Sequence, residues 1–179
     1  MNRRDISAPR SLENVSHRTK WSAAVFAGFT GALAFFVWQI LMMWLTAEQP
    51  PWTTVRLIAS VALGEEGARA PIDFDLLLTA VAAAVHFGLS IGFACLVAPL
   101  LRDFTRIKAV VIGLLFGVAI FVVDFYVLTP AFFPWMAEMR TVVTFIGHLI
   151  FGLTVAGVYG LAQGALRKSI DLPAEANSR

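Results

Sequence analysis

The chain has 179 residues, 58% apolar and 15% charged, with a formal net charge of +2 and a mean hydropathy of +0.74. A soluble domain of this size carries less apolar material and roughly a quarter charged residues, so a water-soluble fold, and the soluble-enzyme classes with it, are excluded. A sequence pI near 9.0 does not mark a nucleic-acid binder, because the cations follow the ends of the apolar runs.

Residues 1–20 form a polar tail holding Arg3, Arg4, Arg10, Arg18 and Lys20 ahead of the first apolar run. That run is too long for a signal-peptide core and has no clear small-residue cleavage site, so it reads as a retained first span. Four runs, at about 21–45, 74–101, 107–128 and 141–166, are long enough to cross roughly 30 Å of hydrocarbon at about 1.5 Å per residue. Residues 21–166 are therefore expected to form one all-α membrane domain, a four-transmembrane-helix bundle, and 167–179 a second polar tail.

Between the first two spans, the stretch Thr53 to Gly64 predicts a short interfacial helix with a threonine cap and a closing glycine. The acidic Glu65, Glu66, Asp73 and Asp75 that follow read as a solvated face. Of the 14 Lys and Arg residues, only Arg56, Arg69 and Arg140 fall in the loops on the side opposite the tails. The positive-inside rule then places both termini in the cytoplasm, in a cell (inner) membrane. Trp21 at one boundary and Trp44, Trp52 and Trp135 at the other agree with that frame. Cys95, the single cysteine, lies within the second run and reads as a buried thiol.

An offset of 85 residues pairs Ala24 with Ala109, Gly28 with Gly113, Ala34 with Ala119 and Phe36 with Phe121. Each copy then reaches a Pro-Trp pair, Pro51-Trp52 or Pro134-Trp135, and a helix with one histidine near a Phe-Gly-Leu triplet. The sequence thus reads as two parallel hairpin repeats about an axis along the membrane normal. Small residues at four-residue spacing, Gly28/Ala32, Gly88/Gly92, Gly113/Gly117 and Gly152/Ala156, predict that these faces pack inward, where backbones approach closely.

Gln39, His86, Asp124 and His148 fall on or beside those stripes at similar depth and are the candidate polar intramembrane site, with Thr79, Thr141, Thr144 and Tyr159 extending its lining. The patch is either interhelical hydrogen-bond glue or a functional centre, the usual meaning of an ionisable group in a bilayer. Two functional alternatives stand beside a multi-pass protein whose molecular role is open. One is proton or ion transport or relay through Asp124 and the histidines, for which Tyr159 and Gln163 are the polar groups on the far half. The other is a single haem b between His86 and His148, with Gly88, Gly92 and Gly152 opening room, as in electron-transfer or anchor subunits. Copper is its variant, with Met42, Met43, Met136 and Met139 as thioether donors. The expected partners are the lipid bilayer, a further copy of the chain or a larger membrane complex, and no nucleic acid. No Gly-x-Ser-x-Gly, His-Glu-x-x-His, phosphate-loop or dinucleotide signature occurs, so no enzyme activity is expected.

The four spans, the glycine-rich first helix and the last helix reading His148-Leu-Ile-Phe-Gly-Leu-Thr-Val-Ala-Gly-Val-Tyr-Gly160 resemble small bacterial multi-pass inner-membrane proteins of the YagU-like kind. The resemblance implies a multi-pass location and carries no functional residues with it.

Overall fold

The computed structural model describes residues 19–46, 50–71, 73–102 and 105–171, with Arg106 and residues 164–171 described by their backbone alone. Most of both tails therefore lies outside the described residues. The elements are α1 (Trp21–Thr46), α2 (Pro51–Leu63), α3 (Glu65–Ala68), α4 (Leu76–Leu101), α5 (Arg106–Val122), a π-helical segment (Val123–Leu128), α6 (Thr129–Phe132), a 3-10 helix (Pro134–Met139) and α7 (Val142–Asp171). Among the described residues there is no strand. Four helices are long and apolar enough to cross a membrane, at 21–46, 76–101, 107–132 and 142–163, and the protein is a multi-pass membrane protein.

Two boundaries differ from expectation for local reasons. The third span does not stop at Leu128: the π segment passes it into α6, with the Thr129 N–H donating to the Asp124 carbonyl. The interfacial helix starts two residues before Thr53, because Pro51 at its first position needs no N–H partner and has its φ already set. Thr53 is buried instead of capping. Gly64 does close that helix, at φ 75°, where its N–H reaches the Ser60 carbonyl. Of the acidic residues, Glu65 pairs with exposed Arg69 at 2.6 Å, and Asp75 caps α4 by accepting from the Leu78 N–H at 2.8 Å.

Small residues decide how the spans approach. A side chain at Gly28 of α1 would meet the backbone of Ser90 and Ile91 and the Cβ of Ala94 on α4. One at Gly113 of α5 would meet the Gly152 carbonyl and the Cβ of Ala156 on α7. The two hairpins thus use the same contact, and the shift of 62 that relates Ser90 to Gly152 and Ala94 to Ala156 also relates His86 to His148. The Phe-Gly-Leu triplets, which differ by 64, are not equivalent. Accordingly Gly88 and Gly92 meet nothing and lie on an exposed face, so the expectation that all four small-residue stripes pack inward fails on α4.

The spans are arranged in the order α4, α1, α7, α5. α1 packs extensively on both α4 and α7, and α5 on α7, whereas α4 and α5 barely meet. A two-fold relation between the hairpins would make the α4–α5 seam as close as the α1–α7 seam. It is open instead. Over one end of the bundle, α2 lays Val55 and Ala59 on Ala82 of α4 and Leu57 on Phe121, Phe125 and Met139. The Trp135 indole N–H donates to Ser60 Oγ at 2.8 Å, tying the 3-10 helix to α2. Trp135 is thereby a strut of the cap. Trp135→Phe keeps an aromatic ring but removes this bond and part of the indole's packing surface, so it is expected to lower stability by at least about 1 kcal/mol, measured as the unfolding midpoint in detergent.

Candidate functional site

The open seam holds a cavity of about 170 Å³. Val85, His86, Leu89, Ser90 and Phe93 line it from α4, Ile120, Asp124, Phe125 and Leu128 from the third span, and Thr144, His148 and Phe151 from α7. Phe35 of α1 stands behind them, and Ile58 and Val61 of α2 with Phe133, Met136 and Met139 form the cap. The lining is mostly apolar, as expected of a site that excludes water. Leu89 at the edge is 51% exposed and the Asp124 side chain 29% exposed, so the cavity communicates with the lipid face of the bundle.

Three of the four predicted residues meet here. The two histidines come from equivalent positions of the hairpins but are held differently. The His86 Nε2–H donates to the Ala32 carbonyl at 3.0 Å; a carbonyl only accepts, so the tautomer is fixed and Nδ1 of the neutral ring is an acceptor. His148 is turned the other way, with its Nδ1–H donating to the Thr144 carbonyl at 2.8 Å. Its Nε2 faces Asp124 Oδ2 at 3.4 Å. Two acceptors do not bond, so this contact closes only when one proton lies on either partner. The cavity is thus lined by two imidazoles, one of them facing the Asp124 carboxylate.

Aromatic rings fix these groups. Phe35 packs against both imidazoles, with centroids 5.6 Å from His86 and 5.0 Å from His148. Phe121 and Phe125 meet His148 edge-on at 5.5 and 5.9 Å. None of the three was read as a site residue in the sequence, where phenylalanine is common in every span and Phe121 served only to pair the repeats. The π segment carrying Asp124 was also missed; Pro130, which has no N–H to continue an α-helical ladder, was its available signal.

Gln39, the fourth predicted residue, is elsewhere. It is 6% exposed and lines a second cavity, between α1, α2 and the start of α7, together with Met42, Met43 and Glu138. Under the relation between the hairpins Gln39 corresponds to Asp124, so the two cavities occupy equivalent seams, one closed and one open. Of the predicted lining, Thr144 borders both cavities and Thr141 only the second. Thr79 bonds the Asp75 carbonyl at the start of α4 and borders neither.

Tyr159 lies at the opposite end of the bundle, fully buried. Its hydroxyl accepts from the Lys20 N–H at 3.2 Å and from Gln163 Nε2 at 2.9 Å. Between it and His148, Phe151, Val155 and Ala156 pack in the apolar core. The polar site therefore faces the capped end and the seam, and no polar chain of described residues links it to Tyr159.

A porphyrin does not fit these residues. Phe35 occupies the space beside both imidazoles, Gly88 and Gly92 face outward, and Gly152 is filled by the backbone of Gly113. The cavity is close to the roughly 150 Å³ that accepts a single benzene ring. For a metal, the described residues contain no cluster of three His, Cys, Asp or Glu side chains. The thioethers divide: Met42 and Met43 border the Gln39 cavity, Met136 the histidine cavity, and Met139 both. In comparisons with known proteins, no family model, curated protein or solved structure matches the chain.

Proposed function

We propose that this protein, in a bacterial inner membrane with both termini cytoplasmic, binds a lipid-soluble molecule whose ring-sized head enters the α4–α5 seam from the bilayer. The cation distribution along the loops supports the orientation, and the likeness to YagU-like proteins supports the membrane. The observation that carries the binding reading is the open seam itself: it stands where the hairpin relation calls for a packed contact, and it holds a ring-sized apolar cavity. Its polar groups, one imidazole and a carboxylate facing a second imidazole, suit a head that both donates and accepts, such as a phenol or quinol. The tail of such a molecule stays among the acyl chains.

4-Fluorophenol and fluorobenzene test this by 19F NMR on the protein in micelles. The phenol is expected to give a bound resonance distinct from its micelle signal and the benzene a weaker one. Leu89→Trp, which fills the edge of the seam from a half-exposed position, is expected to remove both. Equal signals from the phenol in wild type and Leu89→Trp contradict the reading.

A further inference from the structure

The seam carries a polar group that the contact between Asp124 and His148 leaves unused. Ser90 of α4 borders the cavity and is 7% exposed, yet its hydroxyl has no hydrogen-bond partner among the described residues. Thr30, Thr46 and Thr79 each donate to a carbonyl one turn earlier, the usual resort of a hydroxyl in a helix; Ser90 does not. The unpartnered side-chain atoms that are sealed off, among the described residues, are Gln39 Oε1, Thr53 Oγ1 and Arg56 Nε. The Ser90 oxygen therefore keeps open surface, and the seam cavity is the space it borders.

Its height in the bundle follows from its neighbours. Phe35 touches both imidazoles, with centroids 5.6 and 5.0 Å away, and His148 faces Asp124, so these three polar groups stand at one level. Ser90 follows His86 by four residues, hence by about 6 Å along the same face of α4, in the direction away from the cap. That separation is close to the span between two oxygens on opposite corners of a benzene ring. The cavity, of about 170 Å³, is the size for one such ring, and Val85, Leu89 and Phe93 give it an apolar wall on the same helix.

We propose that the seam selects a ring hydroxylated at both ends, a 1,4-benzenediol, with one oxygen at the level of Asp124 and the other on the Ser90 hydroxyl. A serine hydroxyl donates and accepts, so it pairs with a ring hydroxyl in either sense. The inference rests on the reading of the seam as a ring-binding site and narrows the head that it takes. Thr129 is also buried and borders the cavity, but on the side of the cap. Ser90 adjoins Leu89, which is 51% exposed at the edge of the seam, so a ring entering from the bilayer meets Ser90.

Displacement of the bound 4-fluorophenol resonance by phenol, 1,4-benzenediol and 1,2-benzenediol, in micelles kept free of oxygen, tests it. The ratio of diol to phenol affinity, compared between wild type and Ser90→Ala, cancels the unequal partitioning of these compounds into the micelles. Ser90→Ala is expected to lower the ratio for the 1,4-diol about five-fold, the worth of one neutral hydrogen bond. The ratio for the 1,2-diol, whose adjacent oxygens do not reach both levels, is expected to stay the same. The variant loses one oxygen and gains helix propensity, so it keeps the fold. An unchanged 1,4-diol ratio in Ser90→Ala overturns the proposal, as does an equal fall for both diols. A fall in Thr129→Val in place of Ser90→Ala moves the second oxygen under the cap and overturns it too. Absence of any bound 4-fluorophenol resonance removes the ring site and this inference together, whereas a bound resonance with an unchanged ratio removes this inference alone.

Discussion

Gly152→Ala is expected to destabilise the bundle by about 2–3 kcal/mol or more, and Gly88→Ala to leave it unchanged or slightly more stable. Both substitutions place one methyl group on a glycine in the middle of a span, and intrinsic helix propensity favours alanine by about 1 kcal/mol in each. At Gly152 the added carbon meets the carbonyl of Gly113, the amide nitrogen of Gly117 at 2.9 Å and the carbonyl carbon of Gly113 at 3.1 Å. All three are backbone atoms of α5, so relief requires two whole helices to separate, and overpacking of this kind costs more than the propensity gain. Gly117→Ala is expected to behave alike, since its added carbon meets the carbonyl of His148 and the Leu149 Cα. At Gly88 and Gly92 the methyl enters open space and only the propensity acts. Equilibrium unfolding in mixed micelles reads the difference; a similar loss at Gly88 and Gly152 contradicts the assignment of faces.

The second large effect concerns Asp124 and His148. Asp124→Leu is expected to reduce 4-fluorophenol affinity about ten-fold, equivalent to about 1.4 kcal/mol, because it removes the partner that keeps His148 Nε2 in a defined state. Asp124→Asn is expected to retain the fold and most of the affinity, since its amide donates to Nε2 without an additional proton. The Leu variant still folds, because the Asp124 side chain is partly exposed and His148 remains held by the Thr144 carbonyl at 2.8 Å. Equal affinities for the phenol in wild type and Asp124→Leu leave the cavity as a purely apolar slot.

Much of the architecture was legible in the chain because lipid imposes a strong constraint: every backbone group must be satisfied within its helix, and long apolar runs result. The four spans follow from that; the helix over the first loop was legible from its closing Gly64, while its start was read at Thr53 and lies at Pro51. Which face of a span turns inward was less legible. In α5 and α7, glycine spacing and burial agree; in α4, the same spacing at Gly88 and Gly92 lies opposite the contact made by Ser90 and Ala94. Spacing says that a backbone is bare along a stripe, and only the partner decides whether it is used.

The candidate site shows the same limit. His86, Asp124 and His148 were recognisable because ionisable groups are rare in apolar runs, and their similar depth brings them to one cavity. Gln39, equivalent to Asp124 in sequence, was separated from them because the α1–α7 seam closed around Trp38, whose indole N–H donates to the Val143 carbonyl at 2.9 Å. The opposite seam has no such bond between its two spans among the described residues. Hydrophobic pattern does not distinguish a seam that closes from one that stays open, since both are lined by the same apolar residue types.

The claim that the α4–α5 seam admits molecules from the bilayer is tested most directly by photolabelling in proteoliposomes with a small hydrophobic carbene precursor dissolved in the lipid. Val85, Leu89, Phe93 and Leu128 are expected to be labelled, and excess 4-fluorophenol to suppress that labelling while leaving the lipid-facing Leu96 and Leu115 labelled as before. Labelling confined to outward-facing side chains, or insensitive to the phenol at the seam, contradicts the account.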